Sequence, residues 1–321
     1  MIIKDTKIVV IGGAGFIGSH VVESLLRTQV REVVVFDNFV RGRLQNLESA
    51  LRDPRCSVFE AGGDIRDVEI LNAALEGADG VFHLAAMWLL HCREYPRTAF
   101  DVNVQGTFNV LEACVRNCVK RLVYSSSASV YGDAISVPMT EAHPFNNRNF
   151  YGATKIAGEA MCRAFYERFG LNYVGLRYMN VYGPRQNHDA AYTGVIPAML
   201  NKIDSGEVPI INGDGGQAYD FVTVGDVARS NVLAMESDLA DTFYNVGTGV
   251  QTSIKDLSDL VLELTSAKVK VKFKPYSLDD SRQLVNNRIG STEKAETEIG
   301  FKYHDDLQKG LQELIAWRTK N

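Results

Sequence analysis

The stretch Ile8-Val9-Val10-Ile11-Gly12-Gly13-Ala14-Gly15-Phe16-Ile17-Gly18 decides the fold class of this chain. Its four apolar residues predict a buried strand, and glycines follow at positions 12, 15 and 18. Gly13, Gly15 and Gly18 also satisfy the G-x-G-x-x-G spacing of dinucleotide-binding loops. Glycines let the backbone approach a diphosphate, and a helix beginning near Phe16 directs its first N–H groups there. Taken alone the loop is a weak signal, because a glycine-rich strand–helix turn has the same spacing.

Strand and helix patterns alternate outward from this loop through the first half of the chain. The strand patterns are short and apolar, which is typical of strands buried on both faces of a parallel sheet. They cover residues 7–11, 32–36, 56–60, 80–83, 121–125 and 173–177. Helical patterns cover residues 16–28, 68–76, 97–117 and 151–169. This alternation predicts an α/β fold with a doubly wound parallel sheet of the Rossmann type.

The regular alternation of strand and helix patterns ends at about Pro184, and the patterns after this residue are shorter. A terminal helix is predicted over residues 306–320, with one face formed by Leu307, Leu311, Leu314, Ile315 and Trp317. We therefore predict a dinucleotide-binding domain over residues 1–184 and a smaller C-terminal α/β substrate lobe over residues 185–321. No linker rich in Gly, Ser or Pro marks this boundary, so it is soft and the chain is free to cross between the lobes.

Composition excludes several functional classes. The 321 residues include 34 Lys and Arg against 39 Asp and Glu, a net charge of −5, which argues against a nucleic-acid partner. No apolar run reaches the ~18 residues of a membrane span, and the start lacks the pattern of a signal peptide. The histidines show no ligand spacing, and the cysteines are scattered at Cys56, Cys92, Cys114, Cys118 and Cys162. We predict a cytoplasmic protein with no metal and no membrane association.

An acid follows the second strand pattern at Asp37, about twenty residues beyond the glycine loop. A carboxylate at this point is expected to accept hydrogen bonds from the adenosine ribose and to repel a 2′-phosphate, which favours NAD over NADP. Arg41 and Arg43 follow, but solvated loop charges are the favoured interpretation of both. Asp64 and Ile65, after the third strand, are placed to meet the adenine, with a solvated turn aspartate as the alternative.

Tyr151 and Lys155 lie four apart on a helical pattern and therefore share one face. An ammonium beside a phenol lowers the phenol pKa, so the pair predicts a base usable near neutral pH. Upstream, the fifth strand pattern runs into Ser125-Ser126-Ser127-Ala128-Ser129-Val130-Tyr131-Gly132, at the strand end where doubly wound sheets bind ligands. A surface pair and a polar loop are the plain alternatives. The order of loop, acid, serine and Tyr/Lys is hard to produce by accident.

Together these motifs resemble the extended short-chain dehydrogenase/reductase superfamily, in its nucleotide-sugar epimerase/dehydratase branch, similar to UDP-glucose 4-epimerases. The matching stretches are 12–18, 37, 64–65, 83–86, 103, 106–107, 125–132, 151–155, 177–185 and 213–227. The resemblance implies a bound NAD and a hydride passed to and from the carbon of a nucleotide diphosphate sugar, with a UDP-sugar favoured.

The resemblance also implies roles by position. It makes Tyr151 the base, Lys155 its partner, and Ser127 the residue that hydrogen-bonds the sugar hydroxyl. Cofactor binding falls to Gly12, Gly15, Phe16, Ile17, Gly18, Asp37, Asn38, Asp64, Ile65, Leu84, Ala85, Ala86, Asn103, Ser125, Tyr151, Lys155 and Met179. Substrate binding falls to Ser127, Asn180, Tyr219 and Arg288.

The loop after the fifth strand favours one branch. Dehydratases of the family resemble Thr-Asp-Glu where this chain has Ser127-Ala128-Ser129, and decarboxylases tend to carry a glutamate there. Ala128 and Ser129 cannot transfer the protons of a dehydration. The resemblance thus implies a 4-epimerase that acts through a transient 4-keto sugar with no net redox. The alternatives are a nucleotide-sugar dehydrogenase, ketoreductase or dehydratase of the same family, and a redox-sensing regulator, which typically lacks the tyrosine or lysine.

Two departures concern the substrate. The family commonly has an arginine where this chain has Tyr219, and smaller residues than the run Met87-Trp88-Leu89-Leu90-His91-Cys92. Another cation should therefore meet the nucleotide diphosphate, because unpaired buried charges are costly. Arg288 is the predicted residue and Arg282 the reserve, with a solvated surface arginine as the alternative.

A homodimer is also predicted. Helical patterns 97–117 and 151–169 carry apolar residues on more than one face, namely Phe108, Leu111, Val115, Met161 and Phe165. The resemblance implies that these helices pair across a two-fold axis. The alternative is that both faces are buried within one chain.

Overall fold

The computed structural model describes residues 1–187, 194–275 and 285–320. Seven strands build the central sheet: β1 (Lys7–Ile11), β2 (Glu32–Phe36), β3 (Cys56–Val58), β4 (Gly80–His83), β5 (Arg121–Ser127), β6 (Tyr173–Tyr178) and β11 (Thr242–Val246). Their spatial order is β11-β6-β5-β4-β1-β2-β3, and all pairs are parallel. The predicted doubly wound sheet is confirmed.

Helices cover both faces of this sheet. The helices of the described segments are α1 (Phe16–Leu26), α2 (Val68–Leu75), α3 (Leu89–Glu94), α4 (Pro96–Phe100), α5 (Gly106–Arg116), α6 (Phe150–Phe169), α7 (Val195–Asp204), α8 (Val224–Glu236), α9 (Ile254–Thr265), α10 (Glu293–Ile299) and α11 (Leu307–Arg318). Of these, α7, α9 and α11 pack in a separate apolar core. Alternate residues of β1 serve the two faces: Ile8 and Val10 pack in the cluster with α1 and α8, and Val9 and Ile11 in the cluster with α2 and α5. This burial on both faces explains the continuous apolar strand patterns.

One predicted helix is divided in the structure. The pattern 97–117 forms α4, a π-helical turn at Asp101–Gln105, and α5. The turn carries Asn103, whose amide group hydrogen-bonds the backbone of Met87. Such π turns often occur at functional sites. Through Asn103, the π-helical turn is hydrogen-bonded to the loop that follows β4.

The C-terminal half contributes short strands and returns to the central sheet. The strands are β7 (Asn180–Tyr182), β8 (Ile210–Asn212), β9 (Ala218–Tyr219), β10 (Phe221–Thr223), β12 (Thr252–Ser253), β13 (Lys272–Lys274) and β14 (Asn287–Arg288). They form three small sheets, of which β12-β9-β14 has three strands. Because β11 joins the central sheet beside β6, the chain crosses back after residue 184. The domain boundary at residue 184 stays a prediction, and that prediction allowed the chain to cross between the lobes.

The small sheets and α11 share a third apolar core. Phe221, Leu257, Leu311 and Leu314 are buried in it, which explains the periodicity of the terminal segment. Within the three described segments, no helix is both long and apolar enough to cross a membrane. The same segments contain no cluster of three or more His, Cys, Asp or Glu side chains placed to hold a metal ion.

Candidate active site

The glycine loop joins β1 to α1 and has a shape that side chains would destroy. Gly12 has a φ of +81°, and a Cβ on it would lie 2.7 Å from the backbone nitrogen of Ala85. A Cβ on Gly18 would lie 2.1 Å from the carbonyl oxygen of Gly12. No side chain caps the start of α1. The first N–H groups of α1 and its positive dipole end are therefore available to an anion such as a dinucleotide diphosphate.

Asp37 follows β2 directly and braces the glycine loop. Its carboxylate accepts hydrogen bonds from the backbone N–H groups of Ala14 and Phe39, each at 2.9 Å. Burial raises the pKa of Asp37, and these two backbone donors oppose the shift. The carboxylate thus lies beside the loop, as an acid that accepts from a ribose should.

The residues predicted for the adenine form a different set of contacts. Asp64 pairs with Arg66 at 2.6 Å, and this hydrogen bonding lowers the pKa of Asp64. A weaker contribution to the same shift comes from a hydrogen bond with the side chain of Asn38. Ile65 is buried, and its carbonyl accepts from Asn109 at 3.0 Å. Asp64 and Asn38 therefore join the ends of β2 and β3, while the Ile65 side chain belongs to the core.

The loop after β4 is fixed from two sides. The backbone N–H groups of Leu84 and Ala85 both donate to the carbonyl of Ile11. Asn103 accepts from the Met87 N–H at 2.7 Å, donates to the Met87 carbonyl at 2.9 Å, and also donates to Thr154. Asn103 is thus a positioning residue: it holds the backbone that follows the predicted cofactor strand.

Tyr151 lies in the first turn of α6, and Ser127 ends β5 opposite it. Burial raises the pKa of Tyr151 to about 12, while a hydrogen bond with the Ser127 side chain and the charge of Arg288 act in the opposite direction. The sequence pattern predicted that Lys155 lowers the pKa of Tyr151. In the chain without a bound ligand this prediction is wrong, because the pKa of Tyr151 is raised. At neutral pH the phenol of Tyr151 therefore carries its proton.

Lys155 is buried one turn along α6 from Tyr151. Its ammonium donates to the carbonyl of Ser125 at 2.7 Å and lies 5.8 Å from the centre of the Tyr151 ring. Burial lowers the pKa of Lys155 to about 8. The lysine thus ties α6 to the end of β5 and lies near the tyrosine, without a direct bond to its hydroxyl.

A buried ion pair that the sequence analysis missed lies behind these residues. Glu159 and Arg177 meet at 2.7 Å, with both side chains almost fully buried. Ser126 donates to Glu159, and Arg177 donates to the hydroxyl of Tyr131 at 2.8 Å. Glu159 follows Lys155 by four residues, so a charged residue on the buried face of α6 was the available signal. The network fixes α6 against β5 and β6 and thereby the position of Tyr151.

The predicted substrate residues lie on the side of the C-terminal lobe. Asn180 donates to the carbonyl of Asp220 at 3.1 Å, and the hydroxyl of Tyr219 donates to the carbonyl of Val285 at 2.8 Å. Met179 is buried and packs where a Cβ on Gly290 would lie 2.3 Å from its Cε. The Tyr219 hydroxyl proton is therefore already used within the protein.

Arg288 lies on β14, which pairs with β9 so that Arg288 stands beside Tyr219. Its Nε is shielded from solvent and has no hydrogen-bond partner within the described segments. Burial lowers the pKa of Arg288, and Tyr219, Asp133 and Tyr151 oppose this shift through their charges. Asp133 also accepts from the backbone N–H groups of Asn286 and Asn287. A half-buried arginine whose Nε is shielded and unpaired is suited to an anionic ligand. The reserve residue, Arg282, lies outside the described residues.

A cavity of about 890 Å³ connects these parts. Predicted residues that line it are Gly12, Gly15, Phe16, Ile17, Gly18, Leu84, Ala86, Ser125, Tyr151 and Lys155. Arg41, Trp88 and Tyr178 line it as well, and the Tyr178 hydroxyl lies 2.9 Å from Ser125 Oγ. The structure therefore brings the glycine loop, Tyr151 and Lys155 together around one space. The predicted residues that do not line this cavity are Asp37, Asn38, Asp64, Ile65, Ala85, Asn103, Ser127, Met179, Asn180, Tyr219 and Arg288.

Comparison with known proteins agrees with this arrangement. Residues 8–247 match the profile of the NAD dependent epimerase/dehydratase family, and the chain belongs to this family. A putative UDP-glucose 4-epimerase of Methanocaldococcus jannaschii is 34% identical over 318 residues, which cover 98% of this chain and 99% of that protein. The resemblance inferred from the sequence motifs is therefore confirmed.

Solved structures show the same similarity. A UDP-N-acetylglucosamine 4-epimerase from Methanobrevibacter ruminantium M1, in complex with UDP-N-acetylmuramic acid, superposes with a TM-score of 0.92 at 32% identity, covering 99% of both chains. A UDP-glucose 4-epimerase from Thermotoga maritima with UDP-glucose gives a TM-score of 0.90 at 33% identity, covering 98% of this chain and 99% of that one. The fold and family thus extend over nearly the whole chain.

Proposed function

We propose that this protein is an NAD-dependent nucleotide-sugar 4-epimerase that acts on a UDP-sugar. The observation that carries the proposal is the placement of Tyr151 and Lys155 with the glycine loop around one cavity, in a chain where Ser127 is followed by Ala128 and Ser129. Tyr151 can exchange a proton with one sugar hydroxyl, and the two residues after Ser127 offer no second acid or base. The matching family and the UDP-sugar epimerases similar to this chain support the same reaction class.

The residues of this chain suit the binding of NAD. The glycine loop provides a cradle that a Cβ would fill, the uncapped start of α1 provides N–H donors, and Asp37 lies at the end of β2. When bound, NAD supplies a hydride acceptor that can later return the same hydride to the sugar carbon. Because this exchange has no net redox, the protein gains by keeping its cofactor bound through turnover.

The proton transfers belong to Tyr151. In the forward direction Tyr151 acts in its phenolate form, which is the minor form at neutral pH in the chain alone, and removes the proton of the 4-hydroxyl. In the return direction the resulting phenol gives that proton back to the 4-keto oxygen. The Ser127 side chain lowers the pKa of Tyr151 and thereby favours its phenolate. Lys155 holds the carbonyl of Ser125 and keeps α6 and β5 in register around the reacting oxygen. We propose these three residues as the catalytic set.

The test is product analysis without added cofactor. The purified protein is incubated separately with UDP-glucose and UDP-N-acetylglucosamine, and the sugar is followed by proton NMR. We expect the C4 epimer of at least one sugar to accumulate to equilibrium. Accumulation of NADH would favour a dehydrogenase, and a 4-keto-6-deoxy sugar would favour a dehydratase. A protein that changes neither sugar, although it binds NAD, would refute the proposed substrates.

Cofactor preference gives a prediction for Asp37. Replacing Asp37 by alanine should weaken NAD binding about tenfold or more, because the variant loses a ribose acceptor and the bond that braces Ala14. The gap between NAD and NADP should narrow, since the repelling charge is gone. Calorimetric titration of both cofactors measures this, with Asp37→Asn as a variant that keeps the size of the side chain but removes the charge and one of the two acceptor oxygens. Equal affinity of the unmodified protein for NAD and NADP would contradict the assignment.

We further propose a homodimer formed through α5 and α6. Phe108 is 41% exposed and stacks edge-on against Phe165, and Phe100 and Phe169 are also exposed on neighbouring turns. Leu111 and Phe165 are buried within the single chain, so they support the fold rather than the interface. Light scattering at micromolar concentration should give twice the mass of one chain. A monomer would reject the dimer.

A reducing compartment, the cytoplasm, is the proposed location. All five cysteines are free, and Cys56, Cys92, Cys114 and Cys162 are buried. Burial raises the pKa of Cys56 and of Cys92 to about 11, which keeps both as inert thiols. This state is typical of proteins kept in a reducing environment.

A further inference from the structure

A buried series of hydrogen bonds leads from the ion pair of Glu159 and Arg177 toward the C-terminal lobe. Arg177 donates to the Tyr131 hydroxyl at 2.8 Å, and that hydroxyl donates to the side-chain oxygen of Asn245 at 2.7 Å. The amide group of Asn245 donates in turn to the carbonyl of Met139 at 2.9 Å. Because Tyr131 and Asn245 are fully buried, each of these hydrogen bonds is costly to lose.

The loop between β5 and α6 runs beside β14 and holds its backbone. The N–H of Met139 donates to the carbonyl of Ile289 at 2.8 Å, and the N–H of Ala134 donates to the carbonyl of Asn287 at 3.2 Å. Those two acceptors are the residues immediately before and after Arg288. The backbone of Arg288 is therefore fixed on both sides by the same loop that Asn245 bonds.

At its other end the network reaches the helix of the proposed base. Arg177 donates to both carboxylate oxygens of Glu159, at 2.9 and 2.7 Å. A bidentate pair of this kind fixes orientation as well as distance. Glu159 lies on α6, which carries Tyr151 in its first turn. One continuous network thus joins the helix of Tyr151 to the strand of Arg288.

A nucleotide sugar makes the distance between these two ends important. In the proposed function, Arg288 meets the diphosphate and Tyr151 meets the 4-hydroxyl of the sugar, several bonds away. The separation of the two side chains therefore decides which hydroxyl reaches the base. Misplacement of a reacting group by about 1 Å costs roughly a hundredfold in rate.

We propose that Tyr131 and Asn245 are positioning residues that set the separation between Arg288 and Tyr151 and thereby align the sugar with the base. The inference rests on the proposed function, which gives the two ends of the network their roles. Neither Tyr131 nor Asn245 lines the main cavity. Both act through the helix and the loop that they hold in place.

Tyr131→Phe tests the inference because it removes one hydroxyl and keeps the buried ring. The variant leaves the side-chain oxygen of Asn245 and one N–H of Arg177 without a partner. With UDP-glucose as the probe, we expect kcat to fall about tenfold to a hundredfold, the cost of misalignment. Binding of UDP-glucose to the NAD-loaded protein should weaken about fivefold or more. Steady-state kinetics and calorimetry measure the two effects.

Tyr173→Phe is the matched control, because the plain alternative is that the network only stabilises the fold. Tyr173 is also fully buried, and its hydroxyl donates to Asp241 at 2.6 Å. It begins β6, at the end of the sheet opposite the site. This variant should lower the melting temperature about as much as Tyr131→Phe and leave kcat and UDP-glucose affinity unchanged. Equal kinetic losses in both variants would overturn the inference.

A double-mutant cycle shows whether the network acts through Arg288. In the Arg288→Ala background, Tyr131→Phe should weaken UDP-glucose binding no further, because the side chain that it positions is gone. The loss in kcat caused by Tyr131→Phe should remain, since α6 is still displaced. Additive losses of UDP-glucose affinity in the double variant would overturn the inference.

Asp133 provides a second variant, which keeps the inference testable if Tyr131→Phe does not fold. Asp133 is half-buried, and its carboxylate accepts from the N–H groups of Asn286 and Asn287 at 2.7 and 3.1 Å. Asp133→Ala and Asp133→Asn both remove its charge, but the asparagine keeps an acceptor for the backbone that precedes Arg288. Asp133→Ala should therefore bind UDP-glucose more weakly than Asp133→Asn. Equal affinities would mean that the position of β14 does not matter and would overturn the inference.

The two proposals fail in different ways. An active protein in which Tyr131→Phe changes neither kcat nor UDP-glucose affinity would refute the positioning role and leave the proposed function standing. A protein that forms no epimer, but whose UDP-glucose affinity responds to Tyr131→Phe and Arg288→Ala as described, would refute the proposed reaction and leave the positioning role standing.

Discussion

Replacing Tyr151 by phenylalanine is expected to reduce turnover by roughly 10²–10⁴-fold while NAD remains bound. The variant keeps the ring in the first turn of α6 and removes only its hydroxyl. Since the glycine loop and Asp37 lie on other elements, their contacts are not expected to change. Steady-state kinetics with a UDP-sugar measure the loss, and calorimetry measures the retained cofactor affinity.

Two further variants make this result specific. Tyr166→Phe removes a hydroxyl from the same helix, at a ring that packs against Tyr173, and should leave turnover unchanged. Ser127→Ala should lower turnover less than Tyr151→Phe does, because it removes a partner of the base and leaves the base itself. Turnover retained in Tyr151→Phe would mean that another residue transfers the proton.

Replacing Arg288 by alanine is expected to weaken nucleotide-sugar binding by about 2–5 kcal/mol, because a charge of the diphosphate would lose its partner in a desolvated site. The geometry supports this residue: its Nε is shielded, and Asp133 holds the preceding backbone of Asn286 and Asn287. Tyr219 cannot replace it, since a phenol brings no positive charge and its proton is donated to Val285. Calorimetry of a UDP-sugar with the NAD-loaded protein measures the effect.

Matched variants test the assignment. Arg288→Lys keeps the charge without the planar donors and should show an intermediate loss. Salt dependence of UDP-sugar binding should fall in Arg288→Ala, while NAD affinity stays the same. Unchanged substrate affinity in Arg288→Ala with a large loss in Arg282→Ala would transfer the role to Arg282. No loss in either variant would mean that the chain holds no nucleotide diphosphate sugar in the family's manner.

Sequence reasoning located most of the central sheet because its strands are buried on both faces and read as short apolar runs. It missed the seventh strand, β11 at Thr242–Val246, whose sequence mixes Thr and Asn with aromatic residues. Asn245 is polar but fully buried, and its side chain bonds Tyr131 and Met139. Because the hydrogen-bond partners of Asn245 are distant in the sequence, no local apolar pattern indicates that this residue is buried. The strand was therefore identified only from the structure.

The sequence predicted which residues form the site better than it predicted their hydrogen bonds and pKa shifts. Tyr151 and Lys155 do share a face of α6, but the ammonium bonds the carbonyl of Ser125 and burial governs the pKa of Tyr151. The helical spacing gave the neighbours and could not give the direction of a side chain. Trp88 was noted as a departure in the loop after β4. Its contact with Arg41 joins two residues that are far apart in the sequence, and no local pattern encodes it.

The central claim is that one hydride leaves the sugar and returns to the same carbon within one site. The direct measurement uses UDP-glucose carrying deuterium at C4, incubated with the purified protein and no added cofactor. The account predicts UDP-galactose with the deuterium still at C4 and no label in free NADH. Loss of the deuterium from the product, or its appearance in free NADH, would contradict the account and assign the protein to net oxidation or reduction.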